Sequence, residues 1–153
     1  MRYAIFFAAV SILLISVGTV RAASAWPDRY NDCLSMDDDE AALQACQDAL
    51  TSPALSVLER SEVYRQLGIL HRWNERLDEA ESNLNASLAL LTESPQTHAE
   101  IGAVKFLQAD FDAAKAALSR AIAGGVTGGA AYSNRGLTLL ELGEVKAALK
   151  DFD

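Results

Sequence analysis

The sequence predicts an all-α fold, a stacked array of antiparallel helix pairs, and three observations predict it. Gly68, Gly102 and Gly136 recur at a fixed spacing of 34 residues. Twelve residues after each comes an alanine (Ala80, Ala114, Ala148), and four residues later a large apolar side chain (Leu84, Leu118, Phe152). The rings of Tyr64, His98 and Tyr132, the apolar Leu77, Phe111 and Val145 and the small Ser87 and Ala121 keep the same register. A fixed period of this length marks a repeat array. The glycines lie inside helical patterns, where glycine costs about 1 kcal/mol against alanine. A repeated cost points to close approach of two helix backbones, with the alanines as the small partner surface. One helix pair cannot bury its apolar face alone, so neighbours must stack.

From the N-terminus, Met1-Arg2 is a short basic head, and Tyr3 to Val20 carries no charge and is dense in Ile, Leu, Val, Phe and Ala. Arg21-Ala22-Ala23-Ser24-Ala25 ends in the A-x-A shape of a cleavage site, so residues 1–25 read as a secretory signal peptide, cut after Ala25 or Ala22. The alternative is an uncleaved anchor facing the periplasm, since an apolar run of this length can just span a bilayer. No cysteine follows the run as a lipoprotein would require. Cleavage removes Arg2 and Arg21 and no acid, taking the formal charge from −8 to −10. That balance argues against nucleic acid and anionic membrane surfaces, both of which attract basic patches. The expected chain is therefore secreted or periplasmic and not inserted in the membrane.

Residues 26–52 read as an atypical leading helical hairpin. Trp26-Pro27-Asp28 opens the first arm, and Tyr30, Cys33 and Leu34 lie at helical spacing. Asp37-Asp38-Asp39-Glu40 breaks the pattern, and Leu43, Cys46, Ala49 and Leu50 resume it. Cys33 and Cys46 sit on the apolar sides of the two arms; in an exported chain they read as a disulfide. Closing such a loop contributes about 3 kcal/mol in the chain-entropy model. The alternative is a redox-active pair, although the spacing is not C-x-x-C.

Residues 53–153 read as three units, about 61–94, 95–128 and 129–153, the last incomplete. Ser52 is the expected N-cap and Pro53 the first position of a helix running to about residue 72. Its partner runs from about 77 to 91. Ser94 and Pro95 repeat the cap–proline signal for the second unit, whose helices span about 96–108 and 111–123. Gly124 to Gly129 is read as a glycine stop with a long connection. The third unit pairs about 130–142 with a helix from Glu144. The sequence stops before the position matching Ser87 and Ala121, so it reads as a fragment of a longer array, or as an end covered by a partner or a second copy. Asn85-Ala86-Ser87 fits a glycosylation pattern but lies inside a helix with Ser87 at an inward slot.

Tyr64-Arg65-Gln66-Leu67-Gly68 with Ala80…Leu84…Ser87, His98…Ile101-Gly102 with Ala114…Leu118…Ala121, and Tyr132…Arg135-Gly136 with Ala148…Phe152 together resemble the tetratricopeptide repeat family. Arg135 stands where that family has leucine. The resemblance implies a right-handed superhelix of helix pairs, an exported bacterial-type repeat protein, and a concave groove lined by the first helix of each pair. Carried over by position, the groove residues are Arg65, Ile69, Arg72 and Trp73; Ala99, Ala103 and Phe106; and Ser133, Asn134 and Leu137. It implies a non-enzymatic scaffold or adaptor that binds a peptide or a partner protein, with no cofactor. The alternatives are a glycan-binding or cell-wall assembly accessory and an accessory with a redox-active cysteine pair.

Each groove residue also has a plainer reading. Ile69, Phe106 and Leu137 at helical spacing suit a core, because periodicity marks burial. Arg65 and Arg72 suit a solvated face, and Trp73 suits the cover of a turn. No His or Asp is placed to activate Ser119 or Ser133. Two cysteines with His71 and His98 in separate units do not make a metal site.

Overall fold

The computed structural model describes residues 26–35 and 39–153, all in helices and their connections. Residues 1–25, read as a signal peptide from the sequence, and residues 36–38 fall outside the described residues. Eight helices follow in order among them: α1 (Trp26–Ser35), α2 (Asp39–Leu50), α3 (Val57–Trp73), α4 (Leu77–Leu90), α5 (Pro95–Leu107), α6 (Phe111–Ala123), α7 (Gly129–Glu141) and α8 (Val145–Phe152). They pair as α1–α2, α3–α4, α5–α6 and α7–α8, and each pair packs on the next through α2–α3, α4–α5 and α6–α7. First helices also touch along the array, α1 with α3, α3 with α5 and α5 with α7. The leading hairpin thus takes the place of a repeat unit, α1 as its first helix.

Inside each pair the recurring glycine makes the close approach possible. A Cβ on Gly68 would sit 2.5 Å from Leu84 Cγ, on Gly102 2.4 Å from Leu118 Cγ, and on Gly136 2.5 Å from Phe152 Cε1. The neighbour that needs the missing methyl is the large residue. The alanine expected to be the partner surface lies to one side, the Ala80 carbonyl oxygen being 3.2 Å from the same point. Ala80, Ala114, Leu84 and Leu118 are fully buried, while Phe152 on α8 is 45% exposed.

The turns repeat as closely as the helices. The amides of Glu75, Ala109 and Gly143 donate to the carbonyls of Arg72, Phe106 and Leu140, and those of Arg76, Asp110 and Glu144 to His71, Lys105 and Leu139. This double bond pattern ends a helix on a residue in the left-handed region. Glu75 and Ala109 both have φ of 59° and Gly143 has 77°. Two units therefore hold a side chain where glycine is the unstrained choice.

The start of α3 corrects the sequence reading. The helix does not begin at Pro53 with Ser52 as cap; it begins at Val57 with Ser56 as N-cap. Ser56 and Glu59 form a reciprocal capping box, the Glu59 amide bonding the Ser56 hydroxyl and the Ser56 amide bonding the Glu59 carboxylate. Ser52 instead accepts from the Ala54 amide in the preceding turn, and Arg60 ties that turn down through the carbonyls of Leu50 and Ser52. Ser94 caps α5 with Pro95 at its first turn.

Cys33 and Cys46 form a disulfide, S–S 2.08 Å, between α1 and α2. Both are fully buried in a cluster with Ala42, Ala49, Val63, Leu67 and Leu70. The Tyr30 hydroxyl donates to the Glu62 carboxylate on α3. Burial, then that bond, push the Tyr30 phenol up to about 12.

Two junctions hold the three repeat units together. Between α4 and α5, Ala80 and Leu84 pack on Val104, with Leu77 and Ile101 beside them. Beneath this contact runs a chain of hydroxyls. Ser61 donates to the Ser87 carbonyl at 3.2 Å and lies 3.0 Å from the Ser87 hydroxyl. Ser87 lies 3.1 Å from Thr97, and Thr97 2.9 Å from Ser94. Thirty-four residues on, Pro95, Ala121, Ala131 and Gly128 hold the same four positions, none of which carries a hydroxyl.

Candidate functional site

The first helices α3, α5 and α7 lie side by side, so residues 34 apart occupy equivalent places on one face. The expected groove residues fall at five such places, and they differ in accessibility. Ile69 is only 8% exposed and belongs to the core; Ala103, at its place on α5, is half-buried and Leu137 on α7 is 45% exposed. Arg72 is half-buried and paired with Glu100 on α5 at 3.1 Å. Phe106 is half-buried against Phe111 across the turn of its own unit, ring centroids 5.7 Å apart. Trp73 is 46% exposed. Ser133 is exposed, and Ala99 and Asn134 are half-buried.

Two residues absent from the sequence reading complete the face. Leu107 is 53% exposed at the place of Trp73, and Leu140 is 43% exposed at the place of Phe106. The period alone identifies both, since each stands 34 residues after a residue already placed. Trp73, Leu107, Leu137 and Leu140 form an apolar strip along the C-terminal halves of the first helices.

Polar groups beside the strip are mostly engaged. Lys105 pairs with Glu81 at 2.7 Å, and the Gln108 amide bonds the same carboxylate. Arg135 holds Asp151 with two bonds, at 2.6 and 2.7 Å, and lies 5.7 Å from the Tyr132 ring centroid. The arginine at a leucine position thereby fastens α7 to α8 by a bidentate pair. Arg65 is different. It makes no hydrogen bond or ion pair among the described residues and lines a cleft of about 570 Å³ with Leu58, Ser61, Glu62 and the connection from α4 to α5. Of the two arginines expected in the groove, Arg72 is thus paired and Arg65 is not.

Outside this face little chemistry is assembled. His71 is buried, and burial first, then the neighbouring Arg76, lower its pKa, so it stays neutral more readily than a free imidazole. Among the described residues no three His, Cys, Asp or Glu side chains come together as metal ligands would. Of the glycosylation pattern on α4, Ser87 is buried in the hydroxyl chain, while Asn85 is exposed. No helix among the described residues is long and apolar enough to cross a membrane.

No protein-family model matches the chain, and no curated protein matches it. Solved structures do. The chain is similar to one crystal structure of MamA with a TM-score of 0.64 and 22% identity, over 74% of this chain and 64% of that one. It is similar to another crystal structure of MamA protein with a TM-score of 0.66 and 25% identity, over 82% of this chain and 67% of that one. The fold is tetratricopeptide-like. The chain spans about two thirds of the length of these structures.

Proposed function

We propose that this chain is a non-enzymatic protein–protein interaction module of the cell envelope, holding a segment of a partner protein in the groove of α3, α5 and α7. The observation that carries the reading is the strip of Trp73, Leu107, Leu137 and Leu140, four large apolar side chains each more than two-fifths exposed. Contiguous exposed apolar surface of this kind marks interaction sites. The MamA-like fold supports a scaffold role, by fold analogy. Export is supported by the signal-like residues 1–25 and by the disulfide, which suits an oxidising compartment. Full burial of Cys33 and Cys46 favours a structural bridge over redox exchange, because an attacking thiolate needs access.

The test is a crosslinking pull-down from envelope extract, comparing the wild-type chain with a Trp73→Ala, Leu137→Ser double variant whose helicity is unchanged by circular dichroism. A protein captured by the first and lost from the second supports the groove. Equal capture by both moves the site elsewhere, and capture of cell-wall glycan alone replaces the reading with the glycan-binding one.

A further inference from the structure

The polar ties that fasten the second repeat unit to the first have no counterpart one repeat further on. Arg72 on α3 pairs with Glu100 on α5 at 3.1 Å; the same places on α5 and α7 are Phe106 and Asn134. Glu81 on α4 pairs with Lys105 at 2.7 Å and accepts from Gln108; the same places are Lys115, Leu139 and Leu142. The hydroxyl chain of Ser61, Ser87, Thr97 and Ser94 is likewise absent from the second junction. There α6 still packs on α7. Among the described residues the side-chain bond across that junction is a surface pair, Lys115 with Glu144 at 2.6 Å, 38% and 43% exposed. Exposed pairs of this kind hold little. Beside it a cleft of about 340 Å³ separates Lys115 and Ser119 of α6 from Leu139, Ala147 and Lys150 of the third unit.

The connection differs in the same direction. Ser94 caps α5 with its hydroxyl, and Pro95 fixes the first turn. Their counterparts are Gly128 and Gly129. Gly128 is the N-cap of α7 without a side-chain bond, and nothing lies within 4 Å of where a Cβ would stand on either glycine. From Ala123 to Ala130 every residue except Val126 is exposed. Two adjacent glycines without contacts rotate at little steric cost, and hinges form at such loop and helix-end positions.

We propose that α7 and α8 move as one body about Gly128 and Gly129, opening and closing the cleft against α6. The body is rigid within itself, because Arg135 holds Asp151 by two bonds and Gly136 packs on Phe152. The motion carries Leu137 and Leu140 toward or away from Leu107 on α5, while the Arg72–Glu100 pair fixes α3 against α5. The hinge therefore sets how wide the apolar strip opens at its α7 end. That consequence rests on the groove reading above; the motion itself does not.

The experiment is double electron–electron resonance on the purified chain, disulfide intact, with spin labels at two pairs of exposed sites. Asp78 and Asp112 span the first junction, Asp112 and Lys146 the second, and each pair is one repeat apart. Freezing captures the spread of a motion in the microsecond-to-millisecond range of hinges. The Asp112/Lys146 distances should be broader than the Asp78/Asp112 distances. In a Gly128→Ser, Gly129→Pro background, which grafts the cap of α5 onto α7, they should narrow to the width of the first pair. Gly128 has φ of −70° and ψ of 137°, so Gly128→Ser alone also supplies a cap and serves if the double change lowers helicity. Equal widths for the two pairs, or a second width that neither cap variant narrows, overturn the hinge. No partner enters the measurement, so either result leaves the groove reading to its own test.

Discussion

The two junctions between repeat units solve one geometric problem with opposite chemistry. At the first, Ser61, Ser87, Thr97 and Ser94 make a continuous hydroxyl chain under a pair of apolar side chains. At the second, Pro95, Ala121, Ala131 and Gly128 occupy the same register and leave nothing to hydrogen-bond. Helix limits match in both units: α5 and α7 begin 34 residues apart, as do α4, α6 and α8. The repeat therefore demands small side chains at these four places and is indifferent to polarity, provided that a polar set is complete. A hydroxyl with its partners is tolerated in the core, and a methyl is tolerated without any.

The largest effects should be the same in the first two repeat units, because each helix pair depends on the same internal glycine–leucine contact. Leu84→Ala and Leu118→Ala each remove a fully buried side chain facing a glycine. Each should cost about 2–5 kcal/mol in urea denaturation, and a difference between them of half that size would break the equivalence of the two units.

Moving polarity between junctions should sharpen the contrast. Ala121→Ser introduces a hydroxyl among methyls and is expected to cost about 1–3 kcal/mol. Adding Ala131→Thr should recover part of that, giving a coupling energy in a double-mutant cycle. In the first junction Thr97→Val alone should cost about 1 kcal/mol by removing the hydroxyl that Ser87 and Ser94 share. The triple Ser61→Ala, Ser87→Ala, Thr97→Val variant should cost less than its single changes added together, because no buried partner is left behind.

A smaller effect separates the turns. Ala109 holds φ of 59° where the third unit has Gly143, so Ala109→Gly should stabilise the chain by up to about 1 kcal/mol in thermal melts, and Gly143→Ala should do the reverse.

The smallest effect is one of pH, and it belongs to the first junction. The Lys105 ammonium holds the Glu81 carboxyl below its ordinary value, against the opposing effect of burial, and Gln108 adds to the lowering. A carboxyl whose pKa is lowered by folding contributes stability that is present above its unfolded pKa and lost as pH falls through the folded value. Urea midpoints should therefore drop below the ordinary carboxylate range, and Glu81→Gln should reduce the drop. The second junction has Lys115 and Leu139 in the corresponding places and should contribute no such dependence.

What the sequence disclosed follows from which interactions are periodic. The positions of the glycines, the alanines and the large residues are read directly because they recur in every unit, but it is the large residue and not the alanine that faces the glycine. The cap at Ser94 with Pro95 is legible for the same reason that the one at Ser56 was missed. Ser52-Pro53 carries the local signal without the following helix, and only the reciprocal bond of Ser56 with Glu59 decides between them. The hydroxyl chain is out of reach of periodicity, since Ser61, Ser87 and Thr97 are brought together from three helices. Exposure is not periodic either. Ile69 on α3 has first-helix neighbours on both sides, α1 and α5, and is covered. Leu137 holds the same register on α7, beside α5, and is open. The register thus locates a groove position, and the neighbours decide whether a partner can reach it.

The most direct measurement places a photocrosslinking amino acid, in the native host, at Leu107 and Leu137 on the first helices and at Glu79 and Asp112 on the second. The account predicts one shared adduct from Leu107 and Leu137 and none of that size from Glu79 or Asp112. Adducts from the second-helix positions with none from Leu107 and Leu137 would contradict it.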